Sequence, residues 1–309
     1  MSKISCKNLF IDGQAGTTGL GIAQRVAGLK ELRLITLPEE ERKQPAARAA
    51  AMAQADLTIL CLPDEAAREA VALAPKGARI LDASTAHRVA PGWVYGFAEM
   101  APGQEARIAA AQYVSNPGCY ATGAIALLRP LVEQGLLPPA HHLSINAVSG
   151  YSGGGKSMIA SHEAEGGPAF ELYGLGLGHK HIPEIMQYGL LTQRPLFVPS
   201  VGHFTQGMLV CIPLFLEQLP GMPKATRLVE LYRDYYAGGG NVVAHPGLWS
   251  ENLQPEALNN TDRLEIFIAA SEAHGHAVAI ARLDNLGKGA SGAAVQNLRL
   301  MLELDAGAE

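Results

Sequence analysis

The stretch "NLFIDGQAGTTGLGIAQRVAGL", residues 8–29, constrains the fold more than any other part of the chain. A short strand-like run leads straight into glycines at 13, 16 and 19, and a helical pattern follows. In that order, backbone approaches an anion where no Cβ intrudes, and the open N–H groups of the helix start receive it. The G-x-x-G-x-x-G spacing differs from the commoner G-x-G-x-x-G, so the flanking pattern has to carry the reading.

That pattern continues. "LRLITL" at 32–37, "DLTILCLP" at 56–63 and "GARILDAS" at 77–84 read as short buried strands, separated by the helix-like "QPAARAAAMAQA" and "DEAAREAVALA". Strands alternating with helices of that length predict parallel βαβ units, hence an α/β fold with a Rossmann-like parallel sheet. From residue 140 the runs lengthen, as in "HHLSINAVS", "QGMLVCIPLFL", "RLEIFIAAS" and "GHAVAIARLD", which predicts an α+β domain with a mostly antiparallel sheet. "LGKGASGAAVQNLRLMLE" then returns as an amphipathic helix. A chain of 309 residues, 48% hydrophobic, is long enough for two such cores.

Charge and composition exclude several classes of partner. A net charge of −5, from 24 basic and 29 acidic residues without a basic patch, argues against nucleic acid. The longest apolar runs fall well short of the roughly 18 residues that span a bilayer, and "MSKISCKNLFIDG" lacks a signal-peptide core. A cytoplasmic protein without a membrane partner is expected. Four cysteines with no C-x-x-C pair suggest neither a disulfide framework nor a thiolate zinc site.

One cysteine stands apart. In "SNPGCYATGA", residues 115–124, Cys119 follows Pro117 and Gly118 and precedes the helix-like "ATGAIALLRPLVEQG". A free thiol has a pKa of about 8.5, and a helix N-terminus lowers it. Cys61 and Cys211 lie in strand-like runs and read as inert core, and Cys6 precedes the first strand. Three segments offer a thiol partners: the glycine loop "SGYSGGGKS" with Lys156, "HKHIPEI" with His179 and His181 ahead of Pro183, and "VGHFTQG" with His203. Histidine suits proton transfer near neutral pH. A histidine pair two apart also suits a metal, but no third ligand stands at helpful spacing, so no metal is expected. Arg88 and Asn116 read as anion binders, with a surface salt bridge as the alternative for Arg88. In "PEEERK" an acidic residue would bond a ribose hydroxyl, whereas Arg42 and Lys43 would take a 2′-phosphate; the basic pair favours NADP, with solvated helix-start charges as the alternative.

Taken in order, "GQAGTTG", "CLPDEAAREA", "LDASTAHR", "SNPGCYATGA", "GYSGGGKS", "HKHIPEI" and "DNLGKGASGAAVQNL" resemble the N-acetyl-γ-glutamyl-phosphate reductase family in its shorter form, over most of the chain. Aspartate-semialdehyde dehydrogenases share the glycine motif and an "SNP-x-C" core but not the histidine segment. Lys156 and "FVPSVGHFTQG" depart from the longer form, and His203 resembles the position of the base in the aspartate-semialdehyde enzymes. The resemblance implies NADP-dependent reduction of N-acetyl-γ-glutamyl phosphate to N-acetylglutamate semialdehyde in arginine biosynthesis, through a thioester on Cys119 and with release of phosphate. By the same resemblance His181, ahead of His179, is the acid or base. Gly13, Gly16, Thr17, Thr18, Gly19, Ser84 and Asn285 bind the cofactor, and Arg88, Asn116, Gly150, Lys156 and Glu184 bind substrate. It further implies an NADP-binding Rossmann domain over 1–118, joined by a C-terminal helix at 288–309, a catalytic and oligomerisation domain over 119–287, and a homo-tetramer. The rivals are an aspartate-semialdehyde dehydrogenase, another phosphorylating aldehyde dehydrogenase, and a non-catalytic nucleotide sensor.

Overall fold

The computed structural model describes residues 6–304, so residues 1–5 and 305–309 of the expected first domain lie outside the described residues. The chain divides into two compact units, one running to Pro117 and resuming at Ala290, the other Gly118–Gly289.

The first unit alternates strand and helix: β1 (Lys7–Asp12), α1 (Thr17–Val26), β2 (Leu32–Ile35), α2 (Pro45–Gln54), β3 (Leu57–Leu60), α3 (Asp64–Leu73), β4 (Ile80–Asp82), β5 (Val94–Tyr95), α4 (Gln104–Ala110) and β6 (Tyr113–Ser115). The strands form one sheet in the order β2-β1-β3-β4-β6-β5, and every pair is parallel. Side chains on a strand point alternately to opposite faces. Leu9 and Ile11 therefore join Ile22, Val26, Leu298 and Met301 on one face, while Phe10 joins Met52, Leu60, Ala67 and Ile80 on the other. The C-terminal helix (Gly292–Leu302) thus shares a core with α1. β4 stops at Asp82, and Arg88 lies in the turn that follows.

The second unit holds α5 (Cys119–Glu133), β7 (Ser144–Gly150), α6 (Gly155–Glu165), β8 (Phe170–Leu172), α7 (Ile182–Tyr188), β9 (Leu196–Gly202), β10 (Met208–Phe215), α8 (Ala225–Tyr235), β11 (Val242–Leu248), β12 (Leu264–Ser271) and β13 (His276–Leu283). Its seven-stranded sheet runs β11-β12-β13-β10-β7-β9-β8 and is antiparallel except for the β11–β12 and β7–β9 pairs. One face carries Met208, Val210, Ile212, Ala279, Ala281 and Leu283, all buried. α5 lies on that face, and Gly123 permits the approach, because a Cβ there would stand 2.7 Å from Val210.

α5 contains Pro130, which has no N–H to donate to the Ala126 carbonyl and whose ring crowds that oxygen. The neighbouring helix repairs the defect. Tyr236 Oη donates to the Ala126 carbonyl at 2.9 Å and Tyr232 Oη to the Leu127 carbonyl at 2.7 Å, both buried. A buried carbonyl stripped of its donor costs about 1–3 kcal/mol. Tyr236→Phe is accordingly expected to lower unfolding free energy by about that amount in urea melts, with the fold intact by circular dichroism.

Candidate active site

In the first unit the glycine turn is sterically enforced. Gly13 has φ +86°, and a Cβ there would collide with the Cys61 carbonyl oxygen; a Cβ on Gly19 would lie 2.7 Å from the Gly13 carbonyl oxygen. The turn is thereby pressed against both β3 and α1. Gly16 caps α1 with no side chain of its own, which leaves the N–H groups of the first turn, at Thr17 and Thr18, directed at whatever occupies the turn. Beside it lies a cleft of about 220 Å³ lined by Asp12, Gly13, Gln14, Thr36, Arg42 and Lys43 among others. Arg42 is fixed at the end of β2 by its Nε bond to the Leu37 carbonyl, 3.2 Å. At the cleft floor Asp12 and Arg48 form a buried ion pair of 2.7 Å. Burial pushes the Asp12 carboxyl up, and Arg48 pulls it back down.

At the ends of β4 and β6 the polar side chains bind one another. The Asp82 carboxylate, fully buried, accepts from Ser84 Oγ at 2.6 Å and meets His87 Nδ1 at 2.6 Å, and His87 stacks on Trp93. Arg88 Nε donates to the Asn116 carbonyl at 3.0 Å. The Asn116 side chain donates to the Ala290 carbonyl at 3.0 Å and accepts from Asn297 Nδ2 at 3.1 Å. Asn116 is placed as a brace, with both ends of its amide engaged by protein.

The second unit brings the thiol and the histidine segment together. Cys119 is the first residue of α5. His181 caps α7, and Pro183 occupies its first turn, where a missing N–H costs nothing. Glu184, 1% exposed, accepts from the Gly118 N–H at 3.1 Å through one oxygen, and its other oxygen lies 4.0 Å from His181 Nε2. The His181 N–H donates to His179 Nδ1 at 3.1 Å, which assigns the hydrogen of a neutral His179 ring to Nε2. Around these rings sit Tyr120, Tyr173 and Phe197, with centroids 5.0–6.5 Å apart. On the other side Gly289 closes on the thiol residue, since a Cβ at 289 would stand 2.8 Å from Cys119 Cβ.

The glycine loop is a docked element. A Cβ on Gly150 would lie 2.6 Å from Thr205 and Gln206 backbone, and Tyr151 and Ser152 donate to the Phe204 and Thr205 carbonyls. Asn285 clamps it, accepting from the Gly207 N–H at 2.8 Å and donating to Ser152 Oγ at 3.0 Å. Lys156 is exposed on α6. His203 is exposed and pairs Nδ1 to Nδ1 with buried His162 at 2.9 Å. Among the described residues no group of three or more metal-ligating side chains occurs. Sequence reasoning missed Asp82, Tyr120, Tyr173 and Gly289, although all but Tyr173 lie within the quoted "LDASTAHR", "SNPGCYATGA" and "DNLGKGASGAAVQNL".

A parallel sheet opened by a glycine turn, joined to a mixed-sheet unit, defines the class of two-part nicotinamide-dependent dehydrogenases. A family model described as "Semialdehyde dehydrogenase, NAD binding domain" matches residues 18–108, and one described as "Semialdehyde dehydrogenase, dimerisation domain" matches 119–285. N-acetyl-gamma-glutamyl-phosphate reductase 2 of Pseudomonas putida is 52% identical over 302 residues, covering 95% of this chain and 96% of its own. The N-acetyl-gamma-glutamyl-phosphate reductase of Brucella ovis is 51% identical over 304 residues, covering 95% and 98%. In fold alone, the chain resembles aspartate semialdehyde dehydrogenase II of Vibrio cholerae (TM-score 0.69, 15% identity, 96% and 98% covered) and the Candida albicans enzyme solved with NADP (0.67, 15%, 96% and 99%). The chain therefore belongs to the semialdehyde dehydrogenase family, within its N-acetyl-γ-glutamyl-phosphate reductase branch, and is an oxidoreductase.

The four thiols differ in their surroundings. Burial, with Asp82 and Asp12 adding to it, pushes Cys61 up to about 12, and burial pushes Cys211 up to about 11. Since the thiolate is the reacting form, both are expected to resist iodoacetamide at pH 7.5 and to react only as pH rises past about 10. Exposed Cys6 is removed as Cys6→Ser. Peptide mapping of that variant at pH 7.5 is expected to find label at Cys119, with activity lost in proportion.

Proposed function

We propose that this protein reduces N-acetyl-γ-glutamyl phosphate to N-acetylglutamate semialdehyde with NADPH, releasing phosphate, as a cytoplasmic enzyme of arginine biosynthesis. The observation that carries the reading is Cys119 at the start of α5, tied through Gly118 to the Glu184 that faces His181; the two relatives about half identical over nearly the whole chain name the substrate.

Cys119 is the nucleophile. His181, which faces buried Glu184, takes the thiol proton, the sulfur attacks the acyl carbon, and the proton leaves with the phosphate. A thioester on Cys119 results. Nicotinamide, when bound, would supply the hydride that reduces the thioester. The alkoxide so formed on the Cys119-bound carbon collapses to aldehyde and thiolate, and His181, supplied with a fresh proton from solvent, passes it to sulfur. His179, oriented by the His181 N–H, holds the substrate carbonyl, and Arg88 receives phosphate. Glu184 positions and charges His181 rather than touching substrate, while Asn285 and Gly150 hold the glycine loop in shape.

The cofactor fits the first unit on the evidence of Gly13 and Gly19, where side chains have no room, and of the uncapped start of α1. Gly13, Gly16, Thr17, Thr18 and Gly19 would hold the pyrophosphate. Arg42 and Lys43, lining the cleft beyond β2, would take the 2′-phosphate.

Phosphate-dependent oxidation of N-acetylglutamate semialdehyde and of aspartate semialdehyde, each with NADP and NAD, tests the whole reading. Turnover with the acetylated substrate and NADP is expected; preference for aspartate semialdehyde overturns it. Cys119→Ser is expected to abolish turnover, and His181→Asn to lower kcat by about 10²–10⁴-fold. In the same assay Arg42→Ala with Lys43→Ala raises the KM for NADP and leaves that for NAD unchanged.

We infer further that subunits meet through the sheet of the second unit. Register aligns Leu209, Cys211, Pro213 and Phe215 with Val278 and Ile280 on the face turned away from α5. The same face continues through Val198 and Leu196 to Phe170 and Leu172, the last three about half exposed. So broad an apolar face suits a second copy, in keeping with the description of the matched domain. Pairing two such dimers gives the homo-tetramer. Ile280→Arg is expected to yield a smaller species in sedimentation.

A further inference from the structure

Alternation along β1 puts Asp12 on the face that carries Phe10, the face covered by α2, and there its carboxylate meets Arg48 in the first turn of that helix. Both contacts, from Arg48 Nε at 2.8 Å and Nη2 at 2.7 Å, fall on Oδ2. Among the described residues the carboxylate bonds no other group, so Oδ1 is left to the cleft that Asp12 lines. The end of β2, where an acid that bonds ribose ordinarily stands, offers Thr36 and Leu37 instead. Glu39, Glu40 and Glu41 follow in a short turn but do not line the cleft; of the residues that do, Asp12 is the sole acid.

An ionised carboxylate accepts hydrogen bonds and donates none, so a ligand must bring it a donor. The phosphates of NADP are acceptors themselves. With its 2′-oxygen esterified and its 5′-oxygen in the pyrophosphate, the adenosine ribose keeps a single hydroxyl, at C3′. We propose that Asp12 Oδ1 accepts the hydrogen of that 3′-hydroxyl, which makes Asp12 a specificity-determining residue of the cofactor cleft; this rests on the reading of Arg42 and Lys43 as the 2′-phosphate site. Arg48 makes the arrangement workable, because the ion pair is neutral as a unit and does not repel the phosphates nearby. The cleft thus sorts a ligand by kind of group, with two cations for a phosphate and a buried carboxylate oxygen for the neighbouring hydroxyl.

Calorimetric titration with 2′,5′-ADP and with its 3′-deoxy form, in the absence of any acyl substrate, tests this. Wild-type protein is expected to bind the deoxy compound about tenfold more weakly, the size of one hydrogen bond to a charged group. In the double variant Asp12→Ala with Arg48→Met neither charge is left buried without its partner, and the two compounds are expected to bind equally. Equal affinity for both in the wild-type protein overturns the proposal, and that comparison needs no variant to fold. A preference for the 3′-hydroxyl that survives in the double variant overturns it as well. If 2′,5′-ADP binds no more tightly than 5′-AMP, the 2′-phosphate site falls and this proposal with it, while the assigned acyl reaction stands or falls on its own assay.

Discussion

The bond between the Gly118 N–H and the buried Glu184 carboxylate is the constraint on which the second unit's chemistry depends. It joins the starts of α5 and α7 through two residues 66 apart in the chain. A carboxylate at a helix N-terminus is stabilised by the open N–H groups there. The same placement sets a negative charge next to the thiol, which by itself disfavours thiolate. His181, 4.0 Å from the other carboxylate oxygen, offsets that charge when protonated. The bond thus fixes the thiol residue's helix start and the His181 segment in one frame.

Around that frame the protein spends its buried amides and guanidinium groups on backbone. Asn116, Asn285 and Arg88 all bond carbonyls or N–H groups flanking the glycine loop or the segment leading to Pro117. Such bonds hold irregular chain in place where neither helix nor sheet can satisfy it. A loop that carries reacting groups needs this stiffness, because small displacements of reactive atoms are costly.

How much of this was legible in the sequence varies with how local the cause is. The parallel sheet is legible because hydrophobic period and glycine spacing are local, and Cys119 at a helix start is legible for the same reason. β5, β6 and β8 are two or three residues long, too short for any period to register. Asn116 and Asn285 read as ligand binders because composition cannot reveal that Asn297 and Ser152, 181 and 133 residues away, already occupy their amides. Asp82 lies in the quoted "LDASTAHR", but its bonds to Ser84 and His87 arise only once the turn after β4 folds back on the strand end.

The proline within α5 has a consequence for motion. Because two of that helix's carbonyls are satisfied by hydroxyls on and just beyond α8, neither helix can fray in its middle without exposing groups belonging to the other. The two should therefore open as one cooperative unit, their amide hydrogens exchanging with solvent together. Since Cys119 begins that helix, breathing of a distant, chemically silent element and the lifetime of the thiol's surroundings become the same event.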